Sequence, residues 1–266
     1  MGVASFRPRV YQGSMLNTII HGAATSKPPL LIAHGLYGSA RNWGVIAKRL
    51  SDERQVIAVD MRNHGDSPRA DSHTYPELAA DLAAVIAAHG GQMDVIGHSM
   101  GGKAAMMLAL NHAQAVRKLV VADIAPVAYG HTQIQYIHAM KSLDLARIER
   151  RPEAAAQLAE AGVEPALQSF FTQSLDLPNK RWKLNLDALA DQMPNIMSFP
   201  QADAAWDGPT LFLSGSASDY VLPEHREEIC ARFPNARFAK LPGAGHWLHA
   251  EKPREFEAAA RVFLNA

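Results

Sequence analysis

Residues Gly97-His98-Ser99-Met100-Gly101 place a serine between two glycines at two-residue spacing. An apolar run over residues 93–96 precedes them and reads as a buried strand. A run rich in Ala, Met and Leu over 103–110 follows and reads as a helix. Strand, sharp turn and helix, with serine at the apex, is the setting in which a hydroxyl stands exposed at a helix N-terminus, ready to attack a carbonyl. The glycines make room where backbone segments come too close for a Cβ.

A serine hydroxyl is a weak nucleophile until a base takes its proton, and the base needs an orienting acid. In this kind of topology the chain order is serine, acid, histidine. Among the 12 histidines, His246 has the fitting position, in a small-residue loop (Pro242 to Trp247) between an apolar run and the final helical pattern. His249 falls beyond two bulky residues on the far side of that turn. Two aspartates fit as the acid. Asp123 ends the apolar run over 119–121, and Asp219 follows the run over 211–213. Sequence order fits both, and Asp219 follows the strand that more commonly carries the acid. The oxyanion of acyl transfer needs two backbone donors. They are assigned to Met100, next after the serine, and to Leu36 in the turn His34-Gly35-Leu36-Tyr37-Gly38. The charged stretch from Asp60 to Ser67 reads as a pinned loop rather than a catalytic one.

The elements that must position these residues follow from pattern. Short runs at 30–33, 56–59, 93–96, 119–121, 211–213 and 237–241 read as strands, and several are apolar almost without alternation, as expected for parallel strands buried on both faces. Residues 11–12 and 18–20 are candidates for antiparallel edge strands. Helical stretches alternate with the strands. Thr74 and Glu77 have capping-box spacing ahead of Leu78, Leu82, Val85 and Ile86, and Gly90-Gly91 stops that helix. The last helix begins near Pro253. This alternation predicts an α/β fold, a doubly wound and mostly parallel sheet. From about Tyr129 to Asp203 no strand is evident. Helices are predicted over 134–150, 152–161, 164–173 and 181–192. The expected organisation is a core of residues 1–128 and 204–266, with a helical cap of residues 129–203 inserted over the strands' C-terminal ends.

Composition narrows the function classes. The 266 residues carry no formal net charge, which argues against a nucleic-acid partner. No apolar stretch reaches the roughly 20 residues of a membrane span, and the first 12 residues lack a signal-peptide core. The single cysteine, Cys230, excludes an internal disulfide and reads as a packed thiol. A reducing cytoplasm is the expected location. No metal-ligand or phosphate-loop spacing is present, so no cofactor is expected. Oligomeric state is not encoded in any pattern found.

Longer motifs carry a resemblance. His34 to Ser39, Asp60 to Ser67, Gly97-His98-Ser99-Met100-Gly101-Gly102-Lys103, Asp123-Ile124-Ala125-Pro126-Val127 and the run from Gly243 to Pro253 resemble the α/β-hydrolase superfamily. More narrowly they resemble bacterial YbfF-type esterases and their mitochondrial abhydrolase relatives. The likeness runs from about residue 28 to the end and includes residues 181–192 and Gly208-Pro209-Thr210. It implies that Asp123 is the acid and that Ser218 assists it. It departs from the pattern in placing Asp219 beside that serine. The expected activity is hydrolysis of short to medium acyl esters, a small-molecule substrate class, with Ser99, Asp123 and His246 as the triad. Tyr37, Met100, Tyr129, Trp182, Met193 and Trp247 are candidates to line the acyl pocket. A thioesterase, a perhydrolase or a carbon–carbon bond hydrolase could use the same groups. A dehalogenase is disfavoured because the elbow holds a serine and not a carboxylate. A binding module that has lost its chemistry is disfavoured because every triad position is filled.

Overall fold

The computed structural model describes residues 15–201 and 204–266. Its strands are β1 (Thr18–His21), β2 (Leu30–Ala33), β3 (Val56–Val59), β4 (Met93–His98), β5 (Val116–Ala122), β6 (Leu175–Asp176), β7 (Arg181–Trp182), β8 (Thr210–Gly215) and β9 (Ala236–Leu241). Seven form one sheet in the order β1-β3-β2-β4-β5-β8-β9. Only the edge strand β1 runs antiparallel. The apolar runs read as strands are all in this sheet, and so is the 18–20 edge strand. The 11–12 candidate lies outside the described residues.

The helices are α1 (Gly44–Leu50), α2 (Tyr75–Ala88), α3 (Met100–Asn111), α4 (Ile134–Lys141), α5 (Arg151–Glu160), α6 (Pro165–Thr172), α7 (Leu186–Asp191), α8 (Met193–Met197), α9 (Arg226–Arg232), α10 (Leu248–Glu251) and α11 (Pro253–Asn265). Alternate residues of each central strand enter opposite cores, as the two-residue strand period requires. Leu31, Val95, Leu119 and Val121 pack with α2 and α3 on one face. Leu30, Ile32, Ile96, Val120 and Leu213 pack with Ile46 of α1 and Phe256 of α11 on the other. The capping box of α2 forms as its spacing predicts, with Thr74 N–H donating to Glu77 Oε2 at 3.1 Å.

Between β5 and β8 the chain leaves the sheet and forms α4 to α8. Two expectations for this segment need correction. The 134–150 helix stops at Lys141, where Ser142 Oγ–H bonds back to the Ala139 carbonyl at 2.8 Å. A separate 3-10 turn follows at Leu145–Arg147. The 181–192 helix begins only at Leu186, because Arg181–Trp182 pairs with Leu175–Asp176 in a small antiparallel hairpin. Two-residue strands are too short to show a hydrophobic period. Cys230 is likewise exposed on α9 rather than packed. Among the described residues no helix is long and apolar enough to cross a membrane.

Candidate active site

Parallel strands bring their C-terminal ends to one edge of the sheet, and β2, β4, β5, β8 and β9 each end there in a loop that carries a functional group. Ser99 follows β4 with φ 51 and ψ −120, a backbone state that costs about 1–3 kcal/mol and persists only where packing imposes it. Here the packing is severe. A Cβ on Gly97 would lie 2.3 Å from the Gly101 carbonyl oxygen, and one on Gly101 would lie 2.4 Å from those of Ala33 and His34. The two glycines let α3 start directly against β4 and β2, which presents Ser99 at the helix N-terminus.

Ser99 Oγ lies 3.0 Å from His246 Nε2, and His246 Nδ1 lies 2.8 Å from Asp123 Oδ2. The carboxylate fixes the tautomer, since Nδ1–H must donate to it and Nε2 is left to accept from the serine. Asp123 also has a positive φ, 51, which turns its carboxylate back under the loops. It is fully buried. Three hydrogen bonds converge on it, from His246, from the Gly215 N–H at 3.0 Å and from Ser218 Oγ–H. Asp219 is exposed and its neighbour Ser218 supplies the contact instead. Of the two aspartates that sequence order allows, the histidine bonds Asp123.

The turn after β2 and the charged loop are held together by two histidines, one from each. His34 Nε2 accepts the Met61 N–H at 2.9 Å, and its Nδ1–H donates to the Gly35 carbonyl at 2.7 Å. His64 Nε2 accepts the Tyr37 N–H at 3.1 Å, and its Nδ1–H donates to the Arg62 carbonyl at 2.9 Å. Burial pulls both imidazoles down, His64 well below its usual range, and so keeps them neutral and able to accept. Within the turn, Tyr37 N–H goes to His64 and Gly38 N–H to Gly35. The Leu36 N–H has no partner among the described residues. The pinned-loop reading of residues 60–67 fits this geometry: Asp60 accepts from Asn17, Ala40 and Asp66.

A cavity of about 280 Å³ opens over Ser99. Leu36, Tyr37, Met100 and Trp247 wall it from the sheet side, and Leu167, Phe170, Phe171 and Met197 wall it from the inserted helices. Tyr37 joins the two, with its ring edge-on to Phe171 at 5.5 Å and its hydroxyl donating to the Gln133 carbonyl at 2.8 Å. Tyr129 also lines the cavity. Trp182 and Met193 do not: both are buried in the inserted segment, where Trp182 Nε1–H donates to the Met140 carbonyl at 3.0 Å. An aromatic residue is as useful to the segment's own core as to a ligand, and sequence cannot tell the two apart.

Several site residues carry no sequence signal of their own. Tyr220 stacks on the His246 ring with centroids 3.9 Å apart and planes 18° apart. Lys103 is buried at the cavity wall, its Nζ donating to the Met197 and Ser198 carbonyls at 3.2 and 2.6 Å and lying 4.7 Å over the Tyr129 ring. Burial pulls its pKa down to about 7. The His98 ring lies 4.9 Å from that of His246, His249 packs on His98 at 4.6 Å, and His98 Nε2–H donates to the His246 carbonyl at 2.8 Å. His98 and Lys103 stand in the motif around Ser99 and His249 in the run after His246, but none of these positions says what the side chain touches.

Comparison with known proteins places this geometry among relatives. The profile of the alpha/beta hydrolase family matches residues 30–259. The sn-1-specific diacylglycerol lipase ABHD11 of Mus musculus is 40% identical over 257 residues, which cover 92% of this chain and 83% of that protein. Esterase YbfF of Escherichia coli K12 is 40% identical over 243 residues, 89% of this chain and 93% of the relative. Among solved structures, a marine microorganism esterase superposes with a TM-score of 0.88 at 39% identity, covering 94% of this chain and 99% of that one.

Proposed function

The chain belongs to the alpha/beta hydrolase family, and from that premise we propose that it is a serine carboxylesterase acting on short to medium acyl esters. The observation that carries this reading is the unbroken hydrogen-bond chain Ser99 Oγ, His246, Asp123 at 3.0 and 2.8 Å. Ser99 Oγ attacks the ester carbonyl carbon as its proton passes to His246 Nε2. Asp123 holds the imidazole in register and stabilises the imidazolium that forms. Negative charge gathers on the carbonyl oxygen, where the N–H groups of Leu36 and Met100 receive it. Collapse of this intermediate breaks the ester bond, and His246 returns its proton to the leaving alcohol oxygen. Water then attacks the acyl-serine with His246 again as base, releasing the acid and restoring Ser99.

Residues 129–203 act in this reading as a cap whose aromatic side chains form the acyl wall. A cavity of about 280 Å³ sits at the small end of ligand sites, which supports a short to medium chain. Two of the relatives are named esterase and diacylglycerol lipase, and the choice between such substrates is one of chain length and headgroup. The test is a series of p-nitrophenyl esters and matched thioesters of rising acyl length, together with labelling by a fluorophosphonate. Labelling that disappears in Ser99→Ala, and kcat/KM highest for short or medium esters, is the expected result. A Ser99→Ala protein that keeps near-native rates removes the reading. Faster turnover of thioesters, or of emulsified long-chain glycerides, replaces the substrate class.

A further inference from the structure

Tyr220 lies face-on to the imidazole of His246, the closest ring pair around that residue, with centroids 3.9 Å and planes 18° apart. The tyrosine is fixed at three points. Its backbone carbonyl accepts the Tyr129 hydroxyl at 2.7 Å, and that hydroxyl in turn accepts the Ala125 N–H at 2.9 Å, two residues beyond Asp123. Its backbone N–H donates to Ser218 Oγ at 3.3 Å, the group that donates to Asp123. Its own hydroxyl meets His131 Nε2 at 2.9 Å and accepts from Gln133 Nε2 at 3.4 Å, at the start of the inserted helices. The ring is thus tied both to the loop of the triad acid and to the segment that covers the cavity.

We propose that Tyr220 is a positioning residue for the acid–base step, its ring face holding the His246 imidazole in the plane that reaches Ser99 and Asp123 and stabilising the positive charge that develops on it. The proposal rests on the serine-hydrolase reading above. In that reading the proton leaves Ser99 Oγ for His246 Nε2 as the oxygen bonds the acyl carbon, so the imidazole is neutral in the resting enzyme and cationic in the transition state. An aromatic face stacks on a neutral ring and attracts a cationic one more strongly. An interaction that strengthens only as charge develops lowers the barrier, rather than merely tightening binding. At the strength usual for such contacts the gain is about 3- to 30-fold in kcat.

Asp123 stabilises the charge at the Nδ1 edge of the imidazole, Trp247 meets the ring edge-on at 5.6 Å, and Tyr220 is the neighbour stacked on its face. Ser99 faces Nε2. His98 and, packed on it, His249 are both held neutral by burial, His249 with its pKa down to about 3. Burial first, then the carboxylates of Asp219 and Asp123, push the Tyr220 hydroxyl up to about 12, so it stays protonated. The other titratable groups beside it are His131, which meets its hydroxyl, and the phenols of Tyr129 and Tyr136.

The test compares Tyr220→Phe and Tyr220→Leu with the wild type in the full chain, with kcat and KM for a short ester measured from pH 5 to 9. Phe keeps the face, and its kcat is expected within about threefold of wild type with the acid limb of kcat/KM unmoved. Leu removes the face. It is expected to lose about 3- to 30-fold in kcat with little change in KM, and to move the acid limb to lower pH, because the protonated imidazole has lost a stabilising partner. Tyr220→Trp restores a face and should recover kcat, and His131→Ala should leave the limb in place. If the Leu protein does not fold, Tyr220→Gln carries the same comparison. Equal losses in Phe and Leu, a loss confined to KM, or an acid limb that stays put in Leu each overturn the proposal. The two readings fail separately. Activity surviving in Ser99→Ala removes the serine mechanism, whereas an inactive Ser99→Ala beside an unaffected Tyr220→Leu removes only the role of the tyrosine.

Discussion

The Tyr37 N–H donates to His64 Nε2 at 3.1 Å, a bond between residues 27 apart in sequence, and it ties the glycine turn to the charged loop. With the Tyr37 and Gly38 N–H groups engaged, the proposed mechanism draws its second oxyanion donor from Leu36. Losing an oxyanion donor outright costs about 10²–10³ in kcat. His64→Leu misaims the turn rather than deleting the amide, so a loss of about 10- to 100-fold in kcat is expected with KM nearly unchanged. His64→Gln, which can still accept, should recover part of it. Steady-state kinetics on one short ester checks this, and wild-type kcat in His64→Leu would contradict it.

Asp123 and Asp219 give a direct contrast. Asp123→Asn should lower kcat by about 10³–10⁴, because an amide facing Nδ1 favours the wrong imidazole tautomer. Asp219→Asn, at an exposed position, should stay within about threefold. Ser218→Ala, which removes one of three hydrogen bonds to Asp123, should fall between them. The assignment is wrong if the two Asn variants exchange ranks.

Five histidines near the site are buried, His34, His64, His73, His98 and His249. Desolvation holds the pKa of each below its usual value, with His73 and His249 down to about 3. The unfolded chain takes up these protons near pH 6.5, and the folded chain does not until far lower. Stability is therefore fully present above pH 6.5 and falls as the pH drops below it, each histidine contributing up to about 1.4 kcal/mol per pH unit. Urea unfolding at pH 7.5, 6 and 5 should show a steep decline. His249 Nδ1 is buried without a partner and its ring stacks on Trp43 at 4.1 Å, so His249→Phe should keep the stack and flatten the decline. An equal slope in that variant would show that the burial cost lies elsewhere.

Phe170 is half-buried in the cavity wall contributed by the inserted helices. Phe170→Ala should move the acyl-length optimum toward longer chains and lower kcat/KM for the shortest ester, at less than the roughly 3–5 kcal/mol that a fully buried phenylalanine costs. An unchanged length profile would mean that the acyl chain leaves Ser99 in another direction.

The sequence by itself determined the parts of this protein that local pattern encodes. Largely apolar runs marked five of the seven strands of the sheet, because a parallel strand buried on both faces has little polar side to show, while the edge strand β9 keeps Arg237 and Lys240 exposed. Gly97 and Gly101 marked the turn around Ser99, because that close approach admits no Cβ. The order of Ser99 and His246 along the chain marked the pair whose Oγ and Nε2 the fold brings to 3.0 Å. The hairpin at Leu175–Asp176 and Arg181–Trp182 escaped notice because two residues show no period, and Trp182 and Met193 were read as pocket because apolarity does not say which apolar surface a side chain faces. What only the tertiary structure decided concerns groups distant in sequence. β5 and β8 are neighbours in the sheet, so the loops of Asp123 and Asp219 open on the same edge and sequence order serves both. The left-handed backbone at Asp123 turns one carboxylate inward to His246, while Asp219 stays in solvent. The ring of Tyr220 on His246 and the imidazole of His64 on the Tyr37 amide are set in the same way. Such contacts depend on how strands and loops stack in space, a long-range packing condition that no stretch of neighbouring residues contains.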